Sequence, residues 1–408
     1  KSEPIVILHV ITTLGRGGAE RQLVNLVSNT NRDRFVHIVC CLRGPLDFAP
    51  EIERAGHKII NLNLRGKHPW LSGARKLASI MRNERPNFVQ TWLYDATIVG
   101  RLAQKITRRP VLLLNTLQST DYEAETISAY GLSSSRINLL RLIDTWTARL
   151  TNALYLPISQ TVADSYLRQL GLPREQVRVM YSSIDRSSLA CEEGGAEHLR
   201  QALGIPADAF IFLNVGRMDL SKGQAHLLRA FARVAAADSR AHLVIVGDGF
   251  LRPELLRLAG ELGVLERVCL PGQRGDIGAF LEMADVFVFP SLVEGLGLAP
   301  IEAMMMGLPC IASSIGALRE VFDDGETGIL VTPGSENQLT AAMLAFAADP
   351  VRCKALAAAA RESAMRRFDS RASISQWEEM YRQLAKDSRA SREAPSLPET
   401  QGPNKSRI

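Results

Sequence analysis

Short apolar runs alternate with stretches in which apolar residues return every three or four positions, and each switch is marked by glycine or a small polar turn. IVILHVI near the start predicts a buried strand, Gly15-Arg16-Gly17-Gly18-Ala19-Glu20 a glycine turn, and RQLVNLVSNT an amphipathic helix with Leu23, Leu26 and Val27 on one side. FVHIVCCL, HKIINLN, NFVQTWL, VLLLNTL, ALYLPIS and VRVMYSS are further strand candidates, separated by helical stretches such as LSGARKLASIMRNE and DATIVGRLAQKI. Strand alternating with helix predicts an α/β fold with a parallel sheet wound on both faces.

The polar passage IDRSSLACEEGG interrupts this rhythm and is a candidate linker. The rhythm then restarts. IFLNVGRM, HLVIVGDG, RVCLPGQ, VFVFPS, PCIASS and GILVTP read as six strands with helices such as AHLLRAFARVAA between them, so a second doubly wound domain is expected. The chain then reads as two doubly wound domains, 1–188 and 189–370, facing a cleft where ligands gather at strand carboxyl ends. At 408 residues it exceeds what one core supports, roughly 250 to 300 residues, which agrees with two domains. ASISQWEEMYRQLAKD predicts a helix over about 371–386, and the polar, Pro/Ser-rich 388–408 segment is expected to be a disordered tail.

Charge changes this picture more than bulk composition does. Residues 1–188 hold 25 Lys and Arg against 15 Asp and Glu, and residues 189–408 hold 23 against 28. A basic first half suits an anionic partner, either lipid headgroups or a pyrophosphate-linked acceptor. No basic run interleaved with aromatics appears, so nucleic acid is not expected as a partner. The six cysteines form no C-x-x-C pair and mostly sit in apolar runs, which favours a reducing cytoplasm over a disulfide framework or a zinc site. The chain enters its first strand almost at once and shows no apolar stretch long enough to cross a membrane. The expected location is cytoplasmic, including the inner face of the membrane.

Three segments carry candidate chemistry. Glu294-Gly-Leu-Gly-Leu-Ala-Pro-Ile-Glu302 follows an apolar strand and opens a helix, with Pro300 at a favoured early position. Its glycines let backbone approach a ligand, and the helix N-terminus offers unpaired N–H groups to a phosphate. Taken alone, the two carboxylates have a bland alternative, Glu302 complementing the helix dipole and Glu294 a surface loop residue. Arg217 and Lys222 in NVGRMDLSKG follow a strand and could straddle a diphosphate, or could be a solvated charged turn. The Gly17-Gly18 turn is not a dinucleotide fingerprint, but its backbone could approach a phosphate or sugar across the cleft.

In this order and spacing, the GGAE turn, GRMDLSKG, VGDG and PSLVEGLGLAPIEAMMMGLPCIAS resemble glycosyltransferase family 4, the retaining GT-B transferases. The resemblance covers nearly the whole chain to about residue 385 and is strongest in the second half. It implies a GT-B fold of two Rossmann-like domains whose C-terminal helix crosses back onto the first domain. It implies a nucleotide-sugar donor, UDP- or GDP-linked, and a saccharide or lipid-linked acceptor, in polysaccharide or glycolipid synthesis. Carried over, Arg217 and Lys222 bind the donor diphosphate, Glu302 the ribose hydroxyls, and Glu294 the transferred sugar as the catalytic carboxylate. Backbone near Gly297 and Leu298 touches sugar and phosphate, Gly17 and Gly18 close from the first domain, and the base sits near Gln273 and Arg274. No metal or other cofactor is implied, because cations and a helix terminus neutralise the leaving diphosphate.

The chain departs from the family's pattern on the first domain. Where many members carry histidines near the sugar and acceptor, Gln90-Thr91-Trp92 and Asn115-Thr116-Leu117-Gln118 stand here. Gln90 and Gln118 are therefore the acceptor-side candidates, able to hydrogen-bond a hydroxyl but not to act as a base. That departure keeps a non-catalytic GT-B subunit, binding a nucleotide-sugar or a partner enzyme, as the alternative. The helix RINLLRLIDTWTARL is either core or a basic, aromatic surface for peripheral contact with an anionic membrane.

Overall fold

The computed structural model describes residues 3–66, 69–108, 111–131 and 133–393. The apolar runs of the first half become β1 (Ile5–Ile11), β2 (Phe35–Cys41), β3 (Lys58–Asn61), β4 (Phe88–Trp92), β5 (Leu112–Leu117) and β6 (Ala153–Pro157). All pair in parallel, in the order β3-β2-β1-β4-β5-β6. β4 is buried from end to end. Helices cover both faces of such a strand, so its sequence does not alternate between apolar and charged positions.

The second half repeats the plan with β7 (Phe210–Val215), β8 (Ala241–Val246), β9 (Val268–Gly272), β10 (Val286–Phe289), β11 (Cys310–Ser313) and β12 (Ile329–Val331). Their order is β12-β11-β10-β7-β8-β9, again all parallel. In each sheet the winding reverses beside the first strand, and a crevice opens there at the carboxyl ends. Two expectations need correction. VRVMYSS is not a strand: the Arg178 and Met180 N–H groups donate to the Tyr155 and Pro157 carbonyls at 2.9 Å, and the segment then leaves the sheet after one bridge at Val177. Pro157 has no N–H with which to extend the ladder.

The chain crosses between domains twice, and the two crossings lie side by side. Ile184 N donates to Phe368 O at 2.9 Å, and Ser370 N donates to Ile184 O at 3.1 Å. The returning chain forms the helix Ser370–Glu393, whose Ile374, Trp377, Met380, Tyr381 and Ala385 complete the core beneath β1, β2 and β4. Tyr381 Oη donates to Gln90 Oε1 at 2.5 Å. The helix runs through 388–393, residues expected to belong to the disordered tail, and 394–408 lie outside the described residues.

Two buried histidines of the first domain are satisfied by their neighbours. His9 Nε2 and His37 Nδ1 are 2.8 Å apart, and His37 Nε2 lies 2.7 Å from Thr30 Oγ1. Burial holds His9 well below its ordinary value and His37 at about 3, so both rings are neutral.

Candidate functional site

The loop after β7 is organised by one buried carboxylate. Asp219 Oδ1 accepts from Ser221 N at 3.0 Å and from Ser221 Oγ at 2.5 Å, which caps the turn Leu220–Lys222. Asp219 Oδ2 accepts from Arg217 Nε at 2.6 Å. Arg217 still presents most of its side chain to solvent, 64% exposed, and so can be recruited by a ligand without losing its anchor. Burial works against its charge, but the Asp219 contact outweighs burial and holds the guanidinium above its ordinary value.

Across from this turn, the loop after β10 leads into the helix Leu298–Met306. Gly297 caps it with φ +93°, and a Cβ there would stand 2.8 Å from Leu318 Cδ2, so only glycine fits. Glu294 Oε1 accepts from Lys222 Nζ at 2.5 Å, with the two side chains 11% and 17% exposed. Burial opposes the lysine's charge, and the Glu294 carboxylate raises it above the ordinary value regardless. The ammonium also lies 5.5 Å from the centre of the Phe289 ring. Two groups assigned to separate parts of the donor thus hold each other.

A cavity of about 690 Å³ lies between the domains at the strand carboxyl ends. It brings together Gly17 and Gly18 from the first domain with Arg217, Gln273, Arg274, Leu298 and Glu302 from the second. The domains touch there, since a Cβ on Gly18 would meet Leu298 Cδ1 at 3.4 Å. Glu302 is pushed up to about 7 by burial, with the nearby Arg21 guanidinium opposing the rise. Among the described residues no donor side chain satisfies its carboxylate, so it is an acceptor facing the cavity. Arg274 is engaged by Asp276, with Nε and Nη2 contacts of 2.9 and 2.6 Å.

The acceptor-side candidates separate. Gln118 lines a second cavity, also about 690 Å³, in the first domain with Asp95, Asp121, Tyr130 and Arg136. Its Nε2 is buried without a partner among the described residues, a donor available to an acceptor hydroxyl. Gln90, by contrast, is fully buried, and its amide is spent on Thr116 Oγ1 (3.0 Å) and on Tyr381. It anchors the returning helix and does not face either cavity. Sequence reasoning missed Asp219, Arg21 and Tyr130. Asp219 stands inside the quoted motif and has the short side chain that caps turns, a signal open to reading. Tyr130 lines the second cavity while interacting with Arg217 and Lys222, which nothing in its local sequence suggests.

Among the described residues, no group of three His, Cys, Asp or Glu side chains could hold a metal ion, and no helix is long and apolar enough to cross a membrane. Residues 16–188 match the family described as Glycosyltransferase Family 4, and residues 196–363 match Glycosyl transferases group 1. N-acetyl-alpha-D-glucosaminyl L-malate synthase of Bacillus anthracis is 25% identical over 318 residues, 78% of this chain and 80% of that protein. UDP-Gal:alpha-D-GlcNAc-diphosphoundecaprenol alpha-1,3-galactosyltransferase of Escherichia coli is 25% identical over 338 residues, 80% of this chain and 84% of that protein. The crystal structure of Anabaena Alr3699/HepE in complex with UDP and glucose superposes with a TM-score of 0.80 at 24% identity, covering 92% of this chain and 98% of that one.

Proposed function

Because the chain belongs to glycosyltransferase family 4 and has the GT-B fold, we propose that it moves a sugar from a UDP- or GDP-linked donor to a saccharide or lipid-linked acceptor, with retention at the anomeric carbon. The interdomain cavity carries this reading, because residues from both domains converge there with the chemistry of a nucleotide-sugar. Glu302 accepts from the ribose hydroxyls, while the Gln273–Arg274 edge faces the base. Arg217 and Lys222 take the diphosphate, helped by the N-terminus of helix Leu298–Met306. Glu294 accepts from the Lys222 ammonium that would meet that diphosphate. The arriving donor takes over the ammonium and releases Glu294 toward the sugar.

Charge then builds on the leaving diphosphate, and Lys222, Arg217 and the helix terminus stabilise it where it forms. The acceptor hydroxyl attacks from the same face, its proton passing to the departing phosphate oxygen. No metal enters this scheme, so transfer should persist in EDTA. The related Escherichia coli galactosyltransferase acts, by its name, on a diphosphoundecaprenol-linked sugar, which supports a lipid-linked acceptor here. The helix Ser134–Arg149 supports it too: Leu139, Leu142 and Trp146 are 58%, 64% and 60% exposed, while Asp144, its one carboxylate, turns inward to Arg101. That leaves a basic, apolar outer face suited to peripheral contact with an anionic membrane at its cytoplasmic side.

A panel of UDP, GDP, ADP and their sugar conjugates in thermal shift tests the donor. A true ligand at 100 times its Kd stabilises by about 2.7 kcal/mol, and no shift from any of them would overturn the reading. Transfer or slow donor hydrolysis that Glu294→Ala abolishes separates the enzyme from a merely binding subunit. For the membrane contact, sedimentation with anionic vesicles at low salt should carry the protein down, and high salt should release it.

A further inference from the structure

The helix Gln160–Leu170 of the first domain starts beneath the second, and its first backbone N–H groups are satisfied from there. Gln160 N donates to Glu320 Oε2 at 2.8 Å and Thr161 N to Glu320 Oε1 at 2.6 Å. Thr161 Oγ1 donates to the same Oε1, and Tyr181 Oη donates to Oε2 at 3.0 Å. One carboxylate of the second domain therefore collects four donors of the first. Two are helix N-terminal amides, where negative charge is favoured and the hydrogen bonds are charge-assisted.

The contact reaches both the crossing point and the catalytic loop. On one side, Glu320 belongs to the helix Gly316–Val321, whose closing Glu320 and Val321 carbonyls accept from Arg367, beside the crossing at Phe368 and Ile184. On the other, Ser159 caps the Gln160–Leu170 helix by accepting from Val162 N at 3.1 Å, and the same Oγ donates to Gly295 O at 2.6 Å. Gly295 adjoins Glu294 and lies so close to the Gln118 carbonyl that a Cβ would sit 2.1 Å from it. The loop carrying Glu294 thus touches the backbone that carries the acceptor-side Gln118.

We propose that Glu320 is a positioning residue: by gripping the start of the Gln160–Leu170 helix it sets the angle between the domains at which Glu294 and the donor sugar meet the acceptor cavity. The proposal rests on the glycosyltransferase reading for its kinetic arm alone; its structural arm stands without it. The donor cations and Glu302 all belong to the second domain, so losing the grip should spare nucleotide binding far more than transfer. Misplacement of a reacting group by about 1 Å costs on the order of 100-fold in rate.

The test compares the full chain with Glu320→Ala and Glu320→Gln by small-angle scattering, nucleotide binding and transfer kinetics. Glu320→Ala should enlarge the radius of gyration, lower kcat by about 100-fold, and leave nucleoside diphosphate affinity within about threefold. Glu320→Gln retains the shape but turns one acceptor into a donor, and should fall between. Should Glu320→Ala fail to fold, the milder Thr161→Val with Tyr181→Phe removes two of the four donors and is expected to move scattering and kcat in the same direction. Unchanged scattering and kcat in a folded variant overturn the proposal. Equal losses of stability, nucleotide binding and kcat do so as well, since they describe an ordinary structural contact. Scattering that changes in a protein that binds no nucleotide upholds the grip while rejecting the donor assignment.

Discussion

Glu302 sits in the cavity wall with its carboxyl pushed up to about 7, against an unfolded value near 4.5. The folded protein therefore holds a proton there that the unfolded chain has released, and stability from this group is full below about pH 4.5 and lost as pH rises through about 7. Glu302→Gln should melt above the parent at pH 8 and close to it at pH 4.5 in scanning calorimetry. A gap that is equal at both pH values would exclude this account. The same variant should weaken nucleotide binding roughly 10- to 100-fold, the worth of charge-assisted hydrogen bonds to two hydroxyls. His37 has the opposite sign. Held at about 3 in the fold and near 6.5 when unfolded, it contributes stability above pH 6.5 that drains away as pH falls toward 3. With His9 depressed by the same burial, the urea midpoint should fall steadily from pH 7 to pH 4, and Thr30→Val should leave that slope in place.

At the scale of the element, the helix Leu298–Met306 depends on what precedes it. Gly297 adopts φ +93° against Leu318, so Gly297→Ala adds backbone strain and a clash. It should cost about 1–3 kcal/mol in denaturant unfolding and weaken donor binding, because the N-terminal amides no longer point into the site. This element was legible in the sequence: a strand, glycines, Pro300 and a helix, in order. The helix Ser134–Arg149 was legible as a helix, but not in which way it faces. Its apolar residues suit either core or surface by spacing alone, and only packing against the 94–107 helix turns Ile137 and Ala148 inward while leaving Leu142 and Trp146 outside.

For the whole molecule, the two domains are tied by the returning helix Ser370–Glu393, which lends side chains to a core otherwise built from the first sheet. Trp377 stacks on Trp92 with ring centroids 6.5 Å apart, and Tyr381 stacks on Phe88 at 6.0 Å. Trp377→Ala should therefore cost about 3–5 kcal/mol in the first domain's unfolding. Nucleotide binding below the melting range should survive, because the donor cations belong to the other sheet. A variant that loses both together would show that the domains do not unfold separately.

Strand and helix periodicity was enough to read two doubly wound domains from the sequence, and of the residues the motifs singled out, Gly17, Gly18, Arg217 and Glu302 line one cavity. These are local properties: the alternation records which faces are buried, and the motifs stand at strand carboxyl ends, where parallel winding opens a crevice. Gln90 and Gln118 show the limit, because the same residue type at the ends of neighbouring strands became a buried anchor in one case and a cavity donor in the other. The ion pair of Lys222 with Glu294 and the grip of Glu320 on the Gln160–Leu170 helix were likewise out of reach. Their partners are brought together by sheet order and by the packing of one domain on the other, and separations of 72 and about 160 residues leave no trace in any local pattern.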